Sequence, residues 1–175
     1  MTDEKNVPQP PRDTPPVEEL EIGPGADLRE VDLPEVDLAG RDLTGANFTS
    51  ADLEAADLTG ATLIEAVLDD ADLEGADLTG ANLERASLIS ADLEMAVLKG
   101  ADLSGANLQD ADLERVDLEG ATLEDANLQD ADLERAVLRG ANLRRANLAS
   151  ADLERADLTG ADLTGAHLVD ADLER

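Results

Sequence analysis

Leucine returns at every fifth residue from Leu28 to Leu173, interrupted only by Phe48. Two residues before each Leu lies a second apolar position, filled by Ala except at Val31, Val36, Val116 and Arg41. The residue between them is mostly Asp or Asn, and the two that follow Leu are mostly polar or Gly. The 150 residues from Ala26 to Arg175 divide into 30 pentads without an insertion. An α-helix cannot use this pattern. Five residues advance a helix by about 500°, so successive Leu would spiral around it instead of forming one stripe. In an extended backbone the first and third positions share a face, because side chains alternate. Ala and Leu then point inward, the second residue outward, and the fourth and fifth make a turn. Pro34 at a fourth position and Gly at many fifth positions suit the central pair of a type II turn, where the second member needs φ > 0.

A longer period sets the number of sides. Every fourth pentad from Ala51 reads ADLEA, ADLEG, ADLEM and then ADLER four times, and another register always ends in Gly. A period of 20 residues over five-residue units means four sides to a coil. The chain therefore predicts a square, all-β solenoid of about seven and a half coils. At roughly 4.8 Å per stacked strand its length is about 36 Å.

These residues resemble the pentapeptide-repeat family, whose motif is A(D/N)LXX, over the whole of 26–175. The resemblance implies a right-handed quadrilateral β-helix. Arg41 departs from the motif by occupying an inward slot, where an unpaired charge is costly. An irregular or open first coil, releasing Arg41 to solvent, is expected there.

Composition adds the second theme. The 175 residues carry 42 acids against 13 basic residues, a net charge of −29, with one aromatic and no cysteine. Such a charge opposes direct binding to nucleic acid or anionic membrane and favours basic partners, cations or high salt. Only Lys5 and Lys99 among the basic residues are Lys. That suits a halophilic cytoplasm, and a GC-rich genome would also favour Arg. Disulfides and thiolate metal sites are excluded. No run approaches membrane-spanning length, so the expected compartment is the cytoplasm, with a virion or surface assembly as the alternative.

The charge is concentrated. One side of the predicted solenoid stacks Asp32, Asp52, Asp72, Asp92, Asp112, Asp132, Asp152 and Asp172, together with Glu35, Glu54, Glu74, Glu94, Glu114, Glu134, Glu154 and Glu174. Against these 16 acids stand Arg115, Arg135, Arg155 and Arg175. Asp52 to Glu154 form the candidate partner-binding face. Like charges stacked at strand spacing destabilise a sheet, so salt must screen them or a cationic partner must read them. About 36 Å of B-DNA carries roughly 21 charges, and the repeat region's net charge of −25 is comparable. The resemblance points the same way, because some members of the family are DNA mimics that bind DNA gyrase. Those members carry a C-terminal dimerisation helix and a break in the coil, and neither is seen here. A solvated acidic surface adapted to salt accounts for the charge without a partner.

Other chemistry ranks lower. The acidic columns offer loose Ca²⁺ or Mg²⁺ contacts, but the calcium nonapeptide pattern of other β-helices is missing. No cofactor and no metal are expected. His167 stands alone at an outward position, and no nucleophile has a base beside it. Ser50, Ser90 and Ser150 fall at turn ends, where hydroxyls cap backbone groups. An enzyme is not expected.

The ends carry assembly expectations. Residues 1–25 are Pro-rich and then briefly apolar at Val17, Leu20 and Ile22, which suits a flexible leader with a cap over the first coil, or an arm that docks on another subunit. At the other end no cap follows the last pentad. Leu158, Leu163, Leu168 and Leu173 are expected to be exposed there, so end-to-end pairing of two copies or docking against a partner is expected. The sequence thus reads as a non-enzymatic, acidic solenoid that works as a protein-interaction or structural module. A component of a larger particle fits this reading, and a DNA mimic acting on a topoisomerase is its rival.

Overall fold

The computed structural model describes residues 21–174. It is a right-handed quadrilateral β-helix in which each pentad forms one side of a square coil. The second residue of each pentad pairs in parallel with the residue 20 positions later, from Asp27 with Asn47 to Asp152 with Asp172. No helix occurs among the described residues. Side 1 comprises the pentads that begin at Ala26 and every twentieth residue after it. Sides 2, 3 and 4 begin likewise at Val31, Val36 and Arg41.

The pentad Ala91–Met95 shows why this sequence makes this backbone. The Asp92 N–H donates to the Ala71 carbonyl one coil below (2.9 Å), and the Leu93 N–H to the Asp112 carbonyl one coil above (2.8 Å). The Met95 N–H reaches the Glu114 carbonyl above (3.0 Å), and the next pentad's Ala96 N–H closes the turn onto Leu93 (3.0 Å). That leaves one orphan, the N–H of Glu94. Asp92 Oδ1 accepts it at 3.0 Å. The same side-chain bond recurs wherever Asp or Asn fills the second position, except at Asp27 and Asp32. The exceptions have causes. Asp27 holds Arg29 with both carboxylate oxygens (2.7 and 2.6 Å), and the residue facing Asp32 is Pro34, which has no N–H to satisfy. Asp or Asn is therefore the motif's backbone acceptor, an Asx-turn repeated along the solenoid.

Inward, the Leu column is 0–2% exposed from Leu28 to Leu153, and Phe48 fits the same column at 0%. The first position, Ala or Val116, is as deeply buried as the Leu column from Ala46 to Ala151. The turn places every fifth residue from Gly25 to Asp170 at positive φ, twelve of them Gly and eighteen not. Positive φ at the third turn residue, after one at negative φ, is the type II arrangement expected from Pro34 and Gly. In the non-Gly turns the inter-coil hydrogen bond of the fifth N–H holds a strained residue in place.

One expectation changes here. The first coil is not irregular at Arg41: its carbonyl accepts the Thr62 N–H at 2.8 Å, and its own N–H closes a regular turn onto Leu38 (3.1 Å). Arg41 nevertheless lies in solvent, because its slot is at the rim, with Leu43 beside it already fully covered. Ile22 packs on the core at this end, while Val17, Leu20 and the rest of residues 1–20 lie outside the described residues.

The strain at fifth positions is testable at Ala55 (φ 54°), which is exposed. Relieving a left-handed Ala is worth more than the extra chain entropy of Gly. Ala55→Gly should therefore raise stability by about 0.5–1 kcal/mol, read as a higher urea midpoint at unchanged m-value.

Candidate functional site: the acidic side

Side 2 brings the predicted acids together, but gives its two columns different roles. The second-position Asp are not free carboxylates. Asp52, Asp72, Asp92, Asp112, Asp132 and Asp152 are half-buried, and each accepts the N–H of the Glu two residues on at 2.8–3.1 Å. The sequence placed them outward; they lean along the turn because the backbone needs their oxygen. Side 1 does the same work with amides. Asn107, Asn127 and Asn147 cap their turns and also join one another, Asn127 Nδ2 to Asn107 Oδ1 and Asn147 Nδ2 to Asn127 Oδ1, each at 2.8 Å.

The fourth-position Glu have no such duty, and their column is divided. In the later coils Arg115 bridges Glu94 (3.0 Å) and Glu114 (3.1 Å). Arg135 bridges Glu114 (3.0 Å) and Glu134 (3.1 Å), and Arg155 bridges Glu134 (3.3 Å) and Glu154 (3.0 Å). The result is a continuous ladder of alternating sign. It arises because a fifth-position Arg lies next to the Glu of its own pentad and to the Glu 21 residues earlier. In the earlier coils the same fifth positions hold Ala55, Gly75 and Met95. Glu54 and Glu74 therefore have no cationic partner among the described residues. This split was present in the letters as the change from ADLEM to ADLER, but a count of charges hides it.

The electrostatics follow the geometry. Glu74 sits above its ordinary value of 4.5, because burial strips water from it and Glu94, Asp92, Glu54 and Asp72 crowd it. Asp112 is also raised, chiefly by burial, against the pull of the Glu114 N–H. Caps that gain a hydroxyl run the other way. Thr44, Thr59 and Thr164 hold Asp42, Asp57 and Asp162 below the usual carboxylate range, and Thr159 with Arg139 takes Asp157 down to about 2.

Leu158, Leu163 and Leu168 are half-buried and pack on the core, so the expected exposure holds only for Leu173, at 50%. His167 is exposed. Ser50, Ser90 and Ser150 occupy the strained fifth position, and their hydroxyls make no hydrogen bond among the described residues. The capping hydroxyls are at fourth positions instead, as in Thr49 Oγ1 to Asn47 Oδ1 (2.7 Å) and Ser104 Oγ to Asp102 Oδ1 (2.6 Å). Where Ser87 replaces Asp, Asp69 of the coil below accepts both its hydroxyl (2.6 Å) and the Ile89 N–H (3.0 Å). Among the described residues no group of three or more acids or His converges as a metal site, and no helix is long and apolar enough to cross a membrane.

The family model for pentapeptide repeats matches in eight copies, over residues 25–60 and, in overlapping segments, 66–175. The chain belongs to the pentapeptide-repeat family. A solved pentapeptide repeat protein of the Arabidopsis thaliana thylakoid lumen is 35% identical, with 57% of this chain and 70% of that one covered and a TM-score of 0.56. HetL, a pentapeptide repeat protein involved in heterocyst differentiation regulation in the cyanobacterium Nostoc, is 33% identical over 83% of this chain and 88% of its own, with a TM-score of 0.29. Among proteins with curated functions, none matches this chain.

The two classes of carboxylate in this pentapeptide-repeat solenoid predict a stability maximum on the acid side of neutrality. Glu74 and Asp112 titrate higher in the folded chain, so their penalty is present at neutral pH and is removed as pH falls toward 4.5 for Glu74 and toward 3.8 for Asp112. Asp42, Asp57, Asp157 and Asp162 titrate lower when folded, so their contribution is intact above 3.8 and is lost as pH falls below it. The urea midpoint should rise from pH 7 toward that interval and then fall. A steady fall from neutrality would contradict this assignment.

Proposed function

We propose that this pentapeptide-repeat protein is a non-enzymatic interaction module that presents side 2 to a basic protein surface. The carrying observation is that the fold does not require the charge there. On side 1 Asn47 caps its turn at 3.0 Å, within the range of the Asp caps of side 2, and Asn107, Asn127 and Asn147 cap theirs at 3.3–3.4 Å, yet all eight second positions on side 2 are Asp. Seven fourth positions on that side are Glu, although the turn uses only their N–H. Glu54, Glu74 and their Asp neighbours form the part of the face most open to a cationic partner, because the arginine ladder already engages Glu94 to Glu154. A rigid rod suits such a role, holding carboxylates at the fixed spacing of stacked coils. Complementary charge would set the speed and selectivity of association more than its ultimate strength. A subunit within a larger assembly, or a cytoplasmic binding protein, would use the same face.

The rival reading, a mimic of DNA, is favoured by one observation. Over about 36 Å the repeat region carries a charge comparable to the roughly 21 of a duplex that long. The partner would then be a protein whose DNA groove accepts the solenoid, such as a topoisomerase.

The test uses paired substitutions on one partner captured from a salt-matched lysate. Glu54→Gln with Glu74→Gln should weaken binding about tenfold, while Glu114→Gln with Glu134→Gln should change it less than about twofold. Competition by duplex DNA for the same partner would select the mimic reading. Equal, small effects of the two pairs would remove side 2 as the contact surface.

A further inference from the structure

The division of the Glu column has a consequence for the solenoid itself, whether or not a partner binds. A stacked repeat protein is held by nearest-neighbour interfaces between coils, so it opens from wherever those interfaces are weakest. In the later coils each interface on side 2 carries a guanidinium bound to a Glu on both coils, as Arg135 is to Glu114 and Glu134. In the earlier coils the equivalent interfaces, Glu54 over Glu74 and Glu74 over Glu94, set like charges at strand spacing with Gly75 and Met95 where the guanidinium would be. The asymmetry extends beyond this column. Residues 26–85 hold 16 acids and three arginines, whereas residues 106–165 hold 14 acids and six arginines. Two of the three earlier arginines bind neighbours on other sides: Arg29 binds Asp27, and Arg85 binds Glu65 (3.2 Å) and Glu84 (3.2 Å).

We infer that the solenoid has a salt-controlled polarity: at low ionic strength the coils of residues 26–85 open before those of residues 106–165, and added salt closes the difference. Repulsion along an exposed column is screened once the Debye length falls below the distance between neighbouring carboxylates. The ladder gains nothing from that screening, since its own attractions weaken with salt. The earlier half therefore gains more from added salt than the later half. The device would let ionic strength set how much of the acidic side is presented as a rigid surface.

Met95 supplies the decisive variant. It is 46% exposed, already sits at positive φ (58°), and stands in the same register to Glu74 and Glu94 as Arg115 does to Glu94 and Glu114. Met95→Arg should extend the ladder by one step without new backbone strain. The measurement is amide hydrogen exchange on the full chain between about 0.1 and 1 M NaCl, over which the screening length contracts from about 10 to about 3 Å. Protection at Leu53, Leu58 and Leu73 should rise about tenfold, and that at Leu113, Leu118 and Leu133 should rise less than about twofold or fall. The salt slope, not absolute protection, is the readout, because any terminal coil frays. Met95→Arg, and separately Glu54→Gln with Glu74→Gln, should flatten the slope in the earlier coils. An equal slope in both halves would overturn the inference. So would a slope in the earlier coils that survives both variants while far-ultraviolet circular dichroism shows the fold intact.

Discussion

Each pentad offers five backbone N–H groups and has backbone acceptors for only four. Three go to neighbouring coils and one closes the turn, as Asp92, Leu93, Met95 and Ala96 show. The fifth, on the residue after Leu, has no backbone acceptor and is left to a side chain or to solvent. Asp or Asn two residues earlier is short enough to reach it and polar enough to keep it satisfied. The coil pitch, the outward column of polar groups and the chemistry of the surface all follow from that single requirement. It explains why the repeat tolerates Val31, Phe48 or Val116 inside while 23 of the 30 second positions are Asp or Asn. The others are Thr62, Val67, Ser87, Val97, Thr122, Val137 and His167, and at Ser87 the coil below provides the missing acceptor through Asp69.

This separates two kinds of acidity that composition merges. The cap requires an oxygen, which Asn supplies as well as Asp, so the requirement explains polar columns and not negative ones. Side 1 and side 2 share a backbone and differ in charge. The Asn107–Asn127–Asn147 chain is cohesive from coil to coil, while the Asp and Glu columns of side 2 are repulsive wherever no Arg intervenes. A surface that weakens its own fold, where a neutral and cohesive alternative is available a quarter-turn away, calls for an outside counterpart. Salt, a basic protein or both can fill that place.

Much of this was legible in the letters. Leu28 to Leu173 at a spacing of five, and ADLEX at a spacing of 20, contain the square coil, its side count and its core. Hydrogen-bond direction is not legible in the letters. Asp92 looked like an outward charge and is a half-buried cap. Ser90 looked like a cap and is a strained turn residue. The inward slot of Arg41 predicts an irregular or open first coil that releases it to solvent, and Arg41 is in solvent but the coil is regular. The outer rim gives a long side chain an exit without moving backbone. The arginine ladder needed three dimensions, since the bridge from Arg115 to Glu94 spans 21 residues and appears only once coils are stacked.

The second-position Asp of side 2 act on the fold as hydrogen-bond acceptors and not as charges. Replacing Asp52, Asp72, Asp92, Asp112, Asp132 and Asp152 together by Asn tests it most directly, with urea unfolding at low ionic strength as the measurement. The Asn chain should show a cooperative transition with an unchanged m-value and a midpoint at or above that of the parent, because the caps remain and the repulsion is gone. The same six positions changed to Ala should lower the midpoint sharply, at about 1 kcal/mol per lost cap. If the Asn chain were destabilised as much as the Ala chain, charge and not the acceptor oxygen would be holding the coils, and the account would be wrong.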